Sequence, residues 1–111
     1  MVKKFPKRGE IWWIKAGSST GRSVQKDLLA VIISNNISNS VLDRYQVVPL
    51  TSNTEKIFPS ECKILFRKKK GKAMTDQILT VHASRLTKRG GEITDQERGS
   101  LEDRLRLQLD L

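Results

Sequence analysis

The chain has 111 residues, enough for one domain with one core and too few for a substrate domain beside a cofactor domain. It carries 21 Lys and Arg against 12 Asp and Glu, a formal net charge of +9, which favours a polyanionic partner: nucleic acid, an acidic protein or an anionic membrane surface. Cys62 is the only cysteine, so an internal disulfide and a cysteine-based zinc site are both excluded, and no apolar run reaches the length of a signal core or a membrane span. These features predict a cytoplasmic single domain, 1–111, with no cofactor, no metal and no membrane.

Residues 1–9 are basic and broken by Pro6 and Gly9, and read as a lead-in. Glu10 to Lys15 is rich in β-branched and aromatic residues and predicts a strand on which Trp12 and Trp13 point to opposite faces. Ala16 to Asp27 is a Gly-, Ser- and Thr-containing loop, long enough for a functional role to be expected of it. Leu28 to Ile33 is a continuous apolar run and predicts a strand buried on both faces. Ser34 to Asp43 is polar and turn-forming, and Tyr45 to Leu50 predicts a third strand with Pro49 near its end. After a second loop, Glu61 to Phe66 predicts a strand alternating Cys62, Ile64 and Phe66 against Glu61, Lys63 and Leu65.

Arg67 to Lys72 then reads as a basic hairpin tip with Gly71 at its turn. Ala73 to His82 reads as resumed extended structure, and Arg89-Gly90-Gly91 as a break. Thr94 followed three residues later by Glu97 is a capping-box signature, and Leu101, Leu105 and Leu109 form an apolar stripe at helical spacing. The fold class expected is α+β, mainly β: a small antiparallel barrel closed by one C-terminal amphipathic helix.

Several short segments, taken in order, resemble the MazF/PemK toxins. They are Arg8-Gly9-Glu10-Ile11-Trp12-Trp13, Ala30-Val31-Ile32-Ile33-Ser34-Asn35, Val47-Val48-Pro49-Leu50-Thr51-Ser52, Asp76-Gln77-Ile78, Ser84-Arg85-Leu86 and Gly91-Glu92-Ile93. The resemblance implies a dimeric SH3-like barrel related to the CcdB gyrase poison. It also implies a metal-independent, sequence-specific endoribonuclease that cuts messenger RNA and is held inactive by a cognate antitoxin, usually through an acidic segment. The catalytic pair of these toxins is an arginine opening the second strand and a threonine ending the third. The threonine maps to Thr51; Leu28 stands at the arginine position, and Arg22-Ser23 stands where the family has Ser-Glu.

Cleavage of RNA by its own 2′-oxygen requires stabilisation of the extra negative charge on the phosphorane, and one preorganised donor there is worth roughly 3 kcal/mol. Leucine supplies none of it. Lys26, two residues before Leu28, and Arg22 on the long loop are the candidates for the missing cation, with Thr51 as the third catalytic candidate; solvated loop residues are the alternative for both cations. Ser52, Ser23 and Gln77, with Lys68, Lys69 and Lys70 of the basic tip, are the candidates for RNA contact. The tip can equally be a solvated hairpin guarding a sheet edge. His82, the only histidine, reads as a surface residue rather than an acid or base. Two function classes follow: an endoribonuclease toxin, and a non-catalytic binding protein on the same fold (an RNA binder, an inhibitor of a protein target, or a decoy for the antitoxin).

Overall fold

A computed structural model describes residues 4–16 and 27–111. Seven strands are present among them: β1 Glu10–Ile14, β2 Leu28–Ile32, β3 Arg44–Thr51, β4 Cys62–Phe66, β5 Lys69–Ala73, β6 Leu79–His82 and β7 Leu86–Glu92. Two helices join them, α1 Asn36–Val41 and α2 Asp95–Leu109. Every strand pairing is antiparallel, in the order β4-β5-β3-β2-β1-β7, with β6 also on β3. The longest strand, β3, is the pivot. Its first half pairs β6 from Arg44 to Val47, its last two residues pair β5, and its other edge pairs β2. Pro49 sits where β3 passes from β6 to β5, and its carbonyl accepts the Met74 N–H at 2.9 Å.

The side-chain period of two builds two cores from one curled sheet. Ile11, Val31, Val48, Ile64 and Ala73 pack on Leu101 and Leu105 of α2. Ile14, Ala30, Ile32, Tyr45, Val47 and Val81 pack together on the other face. The apolar run of β2 is therefore buried on both sides, as its composition requires. Each fully buried Ile or Val in these clusters contributes roughly 1.5–3 kcal/mol. The capping box forms as expected: Thr94 Oγ1 accepts the Glu97 N–H at 3.1 Å, and Glu97 Oε1 accepts the Thr94 N–H at 2.9 Å. Glu97 Oε2 also accepts the Leu65 N–H at 2.8 Å, tying α2 to the outer edge of β4.

Five local expectations are corrected. The polar stretch after β2 holds α1, because Asn35 Oδ1 caps it by accepting the Ser38 N–H at 2.8 Å. The hairpin turn is Arg67-Lys68, both at positive φ (50° and 67°), and Gly71 lies inside β5 rather than at the turn. A 3-10 turn at Thr75–Gln77 interrupts the stretch that precedes β6. Arg89-Gly90-Gly91 does not break the chain but runs within β7, where the pairing with β1 shifts register. Gly90 fits tightly there, since an added Cβ would lie 3.1 Å from the Phe66 ring, which would have to give way. The helix stripe stops short: Leu101 and Leu105 are buried, while Leu109 is exposed because α2 has by then run past the sheet.

Candidate functional site

A cleft of about 490 Å³ opens where β1, β2, the end of β3 and the β4–β5 hairpin meet. Its floor is apolar: Trp13, Leu29, Leu50, Ile64 and Phe66. Trp13 and Phe66 meet edge to face, with ring centroids 6.3 Å apart, a favourable arrangement of their quadrupoles. The rim is polar, made of Asp27, Thr51, Ser52, Lys69 and Lys70. Strand pairing brings these together from residues far apart in sequence: β3 ends at Thr51 beside β5, opposite Lys72.

Thr51 Oγ1 accepts the Asn53 N–H at 3.2 Å, so the local turn uses its oxygen as acceptor and leaves its hydroxyl hydrogen free to donate to a phosphoryl oxygen. Gly71 lies against this strand end, since a Cβ there would come 2.9 Å from the Thr51 carbonyl oxygen. Leu28, at the arginine position of the resemblance, borders the cleft but packs on the second apolar cluster with Ile14 and Ala30. Leu29 instead belongs to the cleft floor and the first cluster. Asp27 Oδ1 accepts the Ala16 N–H at 3.0 Å, drawing together the two ends of the long loop.

The expected site residues divide accordingly. Thr51, Ser52, Lys69 and Lys70 line the one cleft. Lys68 occupies the hairpin turn, and Gln77 sits on the 3-10 turn before β6, its Nε2 3.5 Å from Met74 Sδ; neither lines the cleft. Arg22, Ser23 and Lys26 lie outside the described residues. Lys72, grouped by sequence with the basic tip, is buried: its Nζ is 2.8 Å from Glu61 Oε1 and 2.6 Å from the Lys56 carbonyl. Burial raises the Glu61 carboxyl, but the Lys72 ammonium and the Phe58 N–H outweigh it and hold the pKa below its ordinary value. His82 is on the surface at β6, with Nδ1 2.8 Å from Ser84 Oγ and Nε2 3.4 Å from Asp43 Oδ2.

A larger depression of about 730 Å³ lies between the loop after β3 and the first turns of α2. Glu61 and Cys62 border it, but Glu61 is committed to Lys72 and the Cys62 thiol is pushed up by burial, which suits neither for acid–base or nucleophilic work. The contribution of Phe66 to the cleft was not singled out by sequence; the signal was its place on the apolar face of β4, directly across the hairpin from Lys69.

Comparison with known proteins agrees with this fold. A family model described as PemK-like, MazF-like toxin of type II toxin-antitoxin system matches residues 7–109. The endoribonuclease MazF9 of Mycobacterium tuberculosis is 31% identical over 115 residues, covering 95% of this chain and 97% of that protein. An endoribonuclease from a mycobacterial species, solved in complex with its cognate antitoxin, superposes with a TM-score of 0.80 at 23% identity over 96% of both chains. MazF from Deinococcus radiodurans superposes with a TM-score of 0.77 at 20% identity, over 98% of this chain and 100% of that one. The fold expected from the sequence is thus the observed one, and the chain belongs to the PemK-like, MazF-like toxin family of type II toxin–antitoxin systems.

Proposed function

We propose that the cleft at the end of β3 is where this toxin cuts RNA. The chain is an endoribonuclease toxin: its family is that of such toxins, and its M. tuberculosis relative is named for the activity. The observation that carries the siting is the meeting of Thr51 with Lys69 and Lys70 on the rim of one aromatic-floored cleft. A stacking surface beside hydroxyl and ammonium donors suits a single strand, whose bases are free to leave their neighbours. In the reaction the 2′-oxygen loses its proton to water, bonds to phosphorus, and the P–O5′ bond breaks. The 5′-oxygen takes up a proton, leaving a 2′,3′-cyclic phosphate and a 5′-hydroxyl, with no metal required for the balance. Thr51 donates to a phosphoryl oxygen, and Ser52 extends the polar rim.

Incubating the protein with long mixed-sequence RNA in EDTA is expected to yield discrete new 5′-hydroxyl ends. Thr51→Ala is expected to slow their appearance at least tenfold. Random degradation insensitive to Thr51, or intact RNA, would overturn the siting or the activity respectively. A non-catalytic reading is favoured by one observation, the leucine at position 28 where the family carries its arginine; an RNA left whole but bound would support it.

The protein works in the cytoplasm as a homodimer that a cognate antitoxin restrains, and its excess of basic residues suits the acidic segment such an antitoxin presents. No described helix is long and apolar enough to cross a membrane. Ile37 and Val41, one turn apart on α1, stand out into solvent at 81% and 73% exposure, apolar surface that a second subunit would cover. Sedimentation at micromolar concentration is expected to give about twice the 12.6 kDa chain mass, and a clean monomer would exclude the dimer.

A further inference from the structure

We propose that Lys69 supplies the positive charge that the family draws from its arginine, so that the toxin's catalytic cation has moved from the start of β2 to the β4–β5 hairpin. The inference rests on the cleft being the RNA-cleaving site. Among the described residues the cations lining that cleft are Lys69 and Lys70. The hairpin register distinguishes them. Residues directly opposite in an antiparallel pair share a face. Lys69 is opposite Phe66 and Gly71 is opposite Ile64, and Phe66 and Ile64 are cleft-floor residues. Lys70 is opposite Leu65, which is exposed on the outer face, and with Leu65, Lys63 and Glu97 it also borders an adjoining depression, whose lining shares Ile64 and Gly71 with the cleft. The side of β5 that looks into the cleft therefore presents Lys69.

Two further features fit this role. The turn residues Arg67 and Lys68 both take positive φ, which closes the hairpin in two residues and fixes which of the successive lysines faces inward. The next residue on the inner face, Gly71, has no side chain to stand between Lys69 and the end of β3, where an added Cβ would meet the Thr51 carbonyl. Lys69, across the hairpin from Phe66, lines the same cleft as Thr51. Its ammonium donates to a non-bridging phosphoryl oxygen as charge builds there, while the proton transfers at the 2′- and 5′-oxygens go through water. Neighbouring Arg67 holds its guanidinium 5.1 Å over the Phe66 ring but is not among the residues that line the cleft. Leu28 borders the same cleft but packs on the second cluster and offers no charge.

The test compares Lys69→Met with Lys70→Met, reading single-turnover cleavage of RNA and, separately, the Kd for a 2′-O-methyl RNA that binds but lacks the attacking hydroxyl. Lys69→Met is expected to slow cleavage about a hundredfold, the effect of removing one preorganised donor to developing charge. Its Kd is expected to rise no more than that of Lys70→Met, whose loss as an RNA contact is read in Kd. Lys69→Arg is expected to recover most of the rate. Leu28→Arg, which does little in the wild type, is expected to restore cleavage in the Lys69→Met background. Equal cleavage losses in the two methionine variants, or a Lys69→Met loss confined to Kd, would overturn the assignment and leave the endoribonuclease reading standing. A folded wild type that binds the 2′-O-methyl RNA and cuts nothing would overturn both.

Discussion

Replacing Lys72 with methionine is expected to lower the stability of the fold by about 3–5 kcal/mol, a large share of the 5–15 kcal/mol typical of a domain. Lys72 and Glu61 are 9% and 6% exposed and paired at 2.8 Å, with the Lys56 carbonyl and the Phe58 N–H completing their hydrogen bonds. Methionine keeps the stem's volume but leaves a buried carboxylate with a single backbone donor. The pair also ties β5 to the loop after β3, so its loss loosens the wall of the cleft next to Thr51. Urea unfolding followed by circular dichroism measures the effect, and a loss under about 1 kcal/mol would mean the pair is not shielded from water. The double variant Lys72→Met/Glu61→Leu is expected to regain most of the stability, because no charge is then left unpaired. The pH dependence has a definite sign. The folded-state pKa of Glu61 is lowered, so its contribution is full above the ordinary carboxylate range and is lost as pH falls through the lowered value. The wild type should therefore lose stability on acidification more steeply than the double variant.

The sequence made the architecture legible because local pattern and tertiary packing agree. The run Leu28 to Ile33 is apolar at every position and lies between two cores; Cys62, Ile64 and Phe66 alternate and face inward together; Thr94 and Glu97 cap α2 as their spacing dictates. The misreadings came where one residue type has two uses. Gly71 looked like a turn former, but it is needed where β5 runs tight against the Thr51 carbonyl, and the turn went to two basic residues that carry the positive φ themselves. Gly90 and Gly91 looked like punctuation but belong to a strand, one of them packed close against the Phe66 ring. At the proposed site, Thr51 was singled out from its matched surroundings, and it lines the cleft. The division of labour among the lysines was not legible, because it depends on register and burial: Lys69 faces the cleft, Lys70 is opposite Leu65, and Lys72 is consumed by Glu61.

That division sets the salt dependence expected of RNA binding. Of the basic tip, Lys68, Lys69 and Lys70 are exposed and have no carboxylate partner among the described residues, whereas Lys72 is spent internally. Each phosphate neutralised on a single strand contributes a slope of about −0.7 in log K against log salt. Three contacts give a slope near −2, so raising potassium chloride from roughly 50 to 500 mM should weaken binding about a hundredfold. Fluorescence anisotropy with a 2′-O-methyl RNA, which the protein holds without cutting, measures it directly. Replacing Lys68, Lys69 or Lys70 singly should make the slope shallower by about 0.7, and Lys72→Met, while the protein stays folded, should leave it unchanged. A flat salt response would mean that the hairpin tip does not meet phosphate. It would shift the expected partner of the net positive charge from RNA to a protein surface.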